Sequence, residues 1–152
     1  MQNIVRLLSE KDLEEASVIF TKVFSSDPWN EPWSFNTSNK RLLDISNTPG
    51  YIGVGYFNSN HQMTGFLVGN VEQWADSTSF YISEICVLTN VQTNGIGTSL
   101  LKYLRDMLTQ KKVNTAYLST ERGEGKPELF FRKNGYVTNE SRVLMTMTIS
   151  GF

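Results

Sequence analysis

The chain has 152 residues with 14 basic against 15 acidic, a length that suits one domain with its own core and a net charge of -1 that offers a nucleic-acid backbone no attraction. One cysteine, Cys86, and one histidine, His61, exclude a disulfide framework or a Cys/His zinc cluster within a single chain. The amino terminus lacks a signal-like apolar run and no stretch approaches the roughly 20 apolar residues of a membrane span, so a soluble cytoplasmic protein without membrane or nucleic-acid partners is expected.

Ile4 to Leu7 reads as a short strand, and Ser9 with Asp12 as a helix start. Leu13, Ala16, Phe20, Val23 and Phe24 then recur at helical steps and form the buried stripe of a first helix. Two prolines in Asp27-Pro28-Trp29-Asn30-Glu31-Pro32-Trp33 break it, and a second helix is predicted over Thr37 to Ser46. Tyr51 to Phe57 and Met63 to Val71 form a hairpin, with His61 in its surface turn. A strand from Phe80 runs into Gln92-Thr93-Asn94-Gly95-Ile96-Gly97, followed by a helix whose buried face carries Ile96, Leu100, Leu101, Leu104, Met107 and Leu108. Val113 to Ser119 is a further strand. Pro127 opens a short helix that Asn134-Gly135 stops, and Val143, Met145, Met147 and Ile149 alternate along a terminal strand. With no repeat or linker, residues 1–152 read as one mixed α/β domain.

The strand, glycine turn and helix from Phe80 to Lys111 carry the functional signal. Glycines let the main chain turn tightly, and the first N–H groups of the following helix lack intrahelical acceptors at the positive end of its dipole. A phosphate or pyrophosphate suits such a turn. Leu100 stands where a dinucleotide fingerprint needs a small residue, and no lysine follows Gly97 before Lys102, so Rossmann and P-loop sites are disfavoured.

Val87, Gln92, Gly95 and Gly97, in the pattern Val-x4-Gln-x-x-Gly-x-Gly, resemble motif A of the GCN5-related N-acetyltransferases. The later run Phe130-Phe131-Arg132-Lys133-Asn134-Gly135-Tyr136 is similar to that family's second motif, with Phe131 where tyrosine is common. The resemblance implies an α/β fold whose mixed central sheet has about six to seven strands with helices on both faces. It also implies acetyl-CoA as cosubstrate and no metal. Main-chain amides from Gln92, Thr93, Asn94, Gly95, Ile96 and Gly97 would hold the pyrophosphate, with hydroxyl donors at Thr98 or Ser99. The strand holding Glu84 and the strand at Val113 to Ser119 would splay apart, so that Val87, Leu88 and Phe131 meet the pantetheine arm.

Acetyl transfer to an amine needs a neutral nitrogen, whereas an alkylamine is mostly protonated at neutral pH. Glu84 is the lone carboxylate in an apolar strand and the first candidate base; the other reading is a strand glutamate facing solvent or salt-bridged. Phe131 removes the usual phenol for the departing thiolate, a role open to Tyr81, Tyr117, Tyr136 or water. Cys86 reads as a core thiol rather than an acetyl carrier. Trp29, Glu31, Trp33 and Trp74 offer aromatic faces beside carboxylates and suit a cationic acceptor, although the tryptophans also suit stapling the connection to the core. The expected activity is N-acetylation of a small-molecule amine, aminoglycoside- or polyamine-like, or of a peptide amine. A noncatalytic acyl-CoA-binding regulatory module is the alternative, and a homodimer is compatible with either.

Overall fold

A computed structural model describes residues 2–151 other than 124 and 126, with only the main chain described at 92–94. The chain divides into two compact units, Met1–Tyr117 and Leu118–Phe152.

The first unit is a five-stranded sheet in the order β1-β2-β3-β4-β5, with β1 Ile4–Leu7, β2 Tyr51–Phe57, β3 Met63–Gln73, β4 Thr78–Val87 and β5 Thr115–Tyr117. Neighbours are antiparallel except β4 and β5, which run parallel. The β2–β3 hairpin turns through His61 at φ 62, where the Asn58 side chain accepts from the main-chain N–H groups of Asn60 and Gln62. His61 is exposed there, as expected of a surface turn.

Helices α1 (Asp12–Phe24) and α2 (Phe35–Ser46) cover the sheet face that carries Phe66, Val68 and Cys86; Ala16, Ile19, Phe20, Val23, Leu42 and Ile45 join these in one core. The start of α1 is fixed by Asp12, whose carboxylate accepts from Ser9 N–H at 2.6 Å and is held by Arg6 at 2.8 and 3.1 Å. The Arg6 hydrogen bonds, then those from Ser9, hold this carboxyl down at about 2. Helix α2 begins two residues before the expected Thr37, because Ser34 and Thr37 form a reciprocal capping box: Thr37 N–H donates to Ser34 Oγ at 3.1 Å, and Ser34 N–H to Thr37 Oγ1 at 3.0 Å. Threonine replaces the usual Glu or Gln, which obscures the signal in sequence. The two helices are joined by polar contacts, Thr21 to Ser38 at 2.7 Å and Asn39 to Ser17 at 3.1 Å.

Helix α3 (Ile96–Gln110) lies on the opposite face with Leu100, Leu101, Leu104 and Leu108 buried. Its first residue packs over Gly65, where an added Cβ would come within 2.9 Å of Ile96 Cγ2.

Strand β4 has an irregularity that decides the site. Ile82 pairs with Gly69 but Glu84 pairs with Val68, leaving Ser83 as an extra residue. Because adjacent residues of β3 point to opposite faces, Ile82 and Glu84 do too. An unbulged β4 would place Glu84 beside Phe80 and Ile82 on the α3 side; the bulge turns it to the side of α1 and α2.

In the second unit, α4 (Pro127–Lys133) opens with proline and closes at Gly135, φ +92, with Tyr136 N–H on Phe131 O at 3.0 Å and Gly135 N–H on Arg132 O at 3.1 Å. Glu128 is tied to Gly123 N–H at 2.6 Å and to the Thr138 hydroxyl. The expected terminal strand is not formed. Val143, Leu144, Met145, Met147 and Ile149 are exposed, and residues 143–149 have no ladder partner among the described residues. The sheet therefore has five described strands rather than about six to seven, because alternation supplies an apolar face but only a neighbour's main chain makes a strand.

Candidate active site

The chain leaves β4 at Leu88, whose N–H donates to Thr64 O at 2.9 Å, and passes through a 3-10 turn, Thr89–Asn94. Gly95 then adopts the left-handed conformation, φ 74 and ψ 16, with no described side chain capping the helix that follows. The first intrahelical bond runs from Ser99 N–H to Gly95 O at 3.0 Å. The N–H groups of Ile96, Gly97 and Thr98 thus precede any intrahelical acceptor at the positive end of α3. A Cβ on Gly95 would meet nothing within 4 Å, so open space lies on that side of the turn. Such a turn fits a diphosphate with neutral donors. Thr98 is exposed and Ser99 half-buried, whereas the Ile96 side chain faces the sheet as packing. The side chains of Gln92, Thr93 and Asn94 lie outside the described residues.

Beside this turn, β4 and β5 pair only from Ser79–Thr115 to Tyr81–Tyr117. The ladder stops before Glu84, and the β5 strand is shorter than the expected Val113 to Ser119. Val87 and Leu88 are half-buried at the end of β4, with Leu88 packed against the core.

The bulge places the Glu84 carboxylate against α2, where Arg41 Nε donates to Oε2 at 3.0 Å and a second guanidinium nitrogen lies 3.0 Å from the same oxygen. Oε1 accepts no hydrogen bond from any described residue. Burial holds the Glu84 carboxyl above its ordinary range, Arg41 pulls it down, and Glu31 adds a smaller upward push. Glu31 and Glu84 are thus electrostatically coupled across the α1–α2 connection and β4. Trp33 belongs to the same group, its Nε1 donating to Glu31 Oε1 at 2.9 Å.

Among the other aromatic candidates, Trp29 and Trp33 pack on the core. Trp33 meets Phe20 edge-on at 4.7 Å between ring centroids and Trp29 meets Phe24 at 5.5 Å, which staples the connection to the core. Trp74 is exposed at the tip of the β3–β4 hairpin, about 20 Å along β3 from Val68, the residue opposite Glu84, and is not brought to the carboxylate. Phe131 is buried in the second unit against Phe130 and Tyr136, and burial raises the Tyr136 hydroxyl above its usual range. Cys86 is 2% exposed, and burial followed by the nearby Glu84 pushes its thiol up, so it is a core residue rather than a nucleophile. Tyr81 shares the face of Glu84 and stacks on Tyr117, whose hydroxyl donates to Glu72. Arg41 is the site residue that sequence reasoning missed; the one available signal was that a lone carboxylate in an apolar strand requires a cation. No group of three His, Cys, Asp or Glu suited to a metal occurs among the described residues, and no described helix is long and apolar enough to cross a membrane.

An α/β fold whose α3 start no described side chain caps, with a left-handed glycine there and a parallel ladder that ends before a half-buried carboxylate, presents an anion-receptive turn near an acid. The chain matches the acetyltransferase (GNAT) family over residues 13–136 and belongs to it. Members of that family act on small-molecule amines. Similar solved structures include a possible acetyltransferase from Clostridium difficile, 11% identical, TM-score 0.81, covering 99% of this chain and 100% of that one. An aminoglycoside acetyltransferase from an uncultured soil metagenomic sample is 22% identical, TM-score 0.75, with 97% of each chain covered. The aminoglycoside antibiotic 6'-N-acetyltransferase of Acinetobacter baumannii is 12% identical, TM-score 0.75, covering 97% of this chain and 99% of that one. No curated protein matches significantly.

Proposed function

We propose that the chain is an acetyl-CoA-dependent N-acetyltransferase acting on a primary amine of a small cationic molecule, with residues 1–152 working as one domain. The observation that carries the reading is a half-buried carboxylate, Glu84, placed by a bulge on the strand that feeds the uncapped start of α3. The family match, which extends across residues of both units, supports the single-domain reading. Aminoglycoside acetyltransferases among the structural neighbours favour a polyamine-like acceptor over a peptide amine.

In this reading the main chain from Gln92 to Gly97 holds the diphosphate, Thr98 and Ser99 add hydroxyls, and Val87 and Leu88 meet the pantetheine arm. When bound, acetyl-CoA supplies the thioester carbonyl that the amine attacks. Glu31 and Glu84 attract the ammonium, Trp33 orients Glu31, and Glu84 Oε1 takes the amine proton directly or through one water. The raised Glu84 carboxyl makes it a better acceptor than a solvated glutamate. Tyr81 is the phenol on the same face, suited to protonating the thiolate in place of the missing tyrosine at Phe131. The test is CoA release over aminoglycosides, polyamines, amino acids and peptides, with wild type beside Glu84→Gln. Turnover should fall by about 100-fold or more with acetyl-CoA affinity unchanged. Equal turnover of the two proteins removes Glu84 from the chemistry, and acetylation of hydroxyl acceptors alone overturns the amine assignment.

A further inference from the structure

Glu84 has a cationic partner from a different layer of the fold, and the geometry of that pair is one-sided. Arg41 commonly would meet a carboxylate as a two-pronged fork, one nitrogen to each oxygen. Here both close nitrogens address Oε2, and Oε1 is left without a described donor. We propose that Arg41 is the positioning residue of this site, gripping Glu84 by one oxygen so that the other is kept ionised and presented for the proton of the acceptor amine. The proposal rests on Glu84 being the proton acceptor.

The architecture of α2 favours this single purpose. The Ser34–Thr37 box fixes the start of the helix, and buried Leu42 and Ile45 fix its rotation against the sheet. Asp44, the carboxylate on the same helix, is taken by Lys40 at 2.9 Å, one turn away, so Arg41 is left to reach across to β4. The charges acting on Glu84 are Arg41 from α2 and Glu31 from the α1–α2 connection, while β3 presents apolar Val68 opposite it. Removing Arg41 would leave a desolvated carboxylate whose remaining charged neighbour is another carboxylate, which favours the protonated form of Glu84.

The test is a pH titration of the Glu84 side-chain carboxyl by 13C NMR on the full chain labelled at glutamate, with the resonance assigned by its loss in Glu84→Gln. Arg41→Gln should raise the midpoint by about one pH unit or more, roughly a tenfold change in the protonation equilibrium, whereas Arg41→Lys, which keeps the charge, should recover most of the shift. In the CoA-release assay, Arg41→Gln should lower kcat at neutral pH while leaving acetyl-CoA affinity unchanged. An unmoved midpoint in Arg41→Gln overturns the proposal, as does an Arg41→Lys midpoint equal to that of Arg41→Gln. The titration needs no substrate, so loss of the acetyltransferase reading through an active Glu84→Gln is seen separately from loss of this one.

Discussion

Replacing Gly95 by alanine isolates the backbone contribution of the turn. Gly95 sits at φ 74, a conformation costing an L-residue about 1–2 kcal/mol, yet a Cβ there would touch nothing within 4 Å, so no steric penalty is added. Alanine also restricts the unfolded chain, which returns about 0.4–1 kcal/mol. The net destabilisation of Gly95→Ala is therefore about 1 kcal/mol, and for a chain of this length the melting temperature should fall by about 2–4 °C. Asparagine tolerates the left-handed region better, so Gly95→Asn should lose no more than about half of that. Urea unfolding at equal slope checks both, and calorimetry with acetyl-CoA reads the site. If the turn holds the diphosphate, Gly95→Ala should weaken binding beyond any change in folding, because relaxing φ re-aims the following N–H groups. Equal destabilisation by alanine and asparagine, or none by either, would refute the left-handed assignment and the pyrophosphate argument built on it.

The remaining predictions concern the core and the entry to α1. Leu104 is 1% exposed on the sheet side of α3, so Leu104→Ala should cost about 2–5 kcal/mol by thermal or urea unfolding; a loss well under 1 kcal/mol would mean that α3 is not packed as described. Asp12 is held below its unfolded value, so its contribution is present above the ordinary pKa of 3.8 and is lost as pH falls toward about 2. Asp12→Asn should lower the urea midpoint at pH 7, and the gap from wild type should close across that acid window. A gap independent of pH would assign the effect to geometry rather than charge.

What could be read without coordinates follows from how local each signal is. The stripe on α1, the hairpin around His61 and the glycine turn are written in neighbouring residues, where one period or one φ requirement decides the outcome. The Ser34 cap was obscured because threonine takes the place of a glutamate. Glu84 stood out as a charge among apolar residues, but its partner is 43 positions away and nothing local marks Arg41. The terminal alternation from Val143 to Ile149 was a true periodic signal with no ladder to use it. Trp29 and Trp33 showed the opposite limit, since aromatic residues flanking acids read alike whether they bind a cation or hold a loop on the core.

The extra residue at Ser83 means that β4 changes parity midway: its even-numbered side chains serve one layer before that point and the other layer after it. Segment exchange with another member of the fold would have to respect this phase change. A transplanted Tyr81–Val87 stretch forced to pair without the bulge would shift by one every side chain after Ser83, and the carboxylate would arrive beneath α3, out of reach of its guanidinium. Numbering of equivalent positions across this strand is therefore set by spatial layer rather than by counting along the chain.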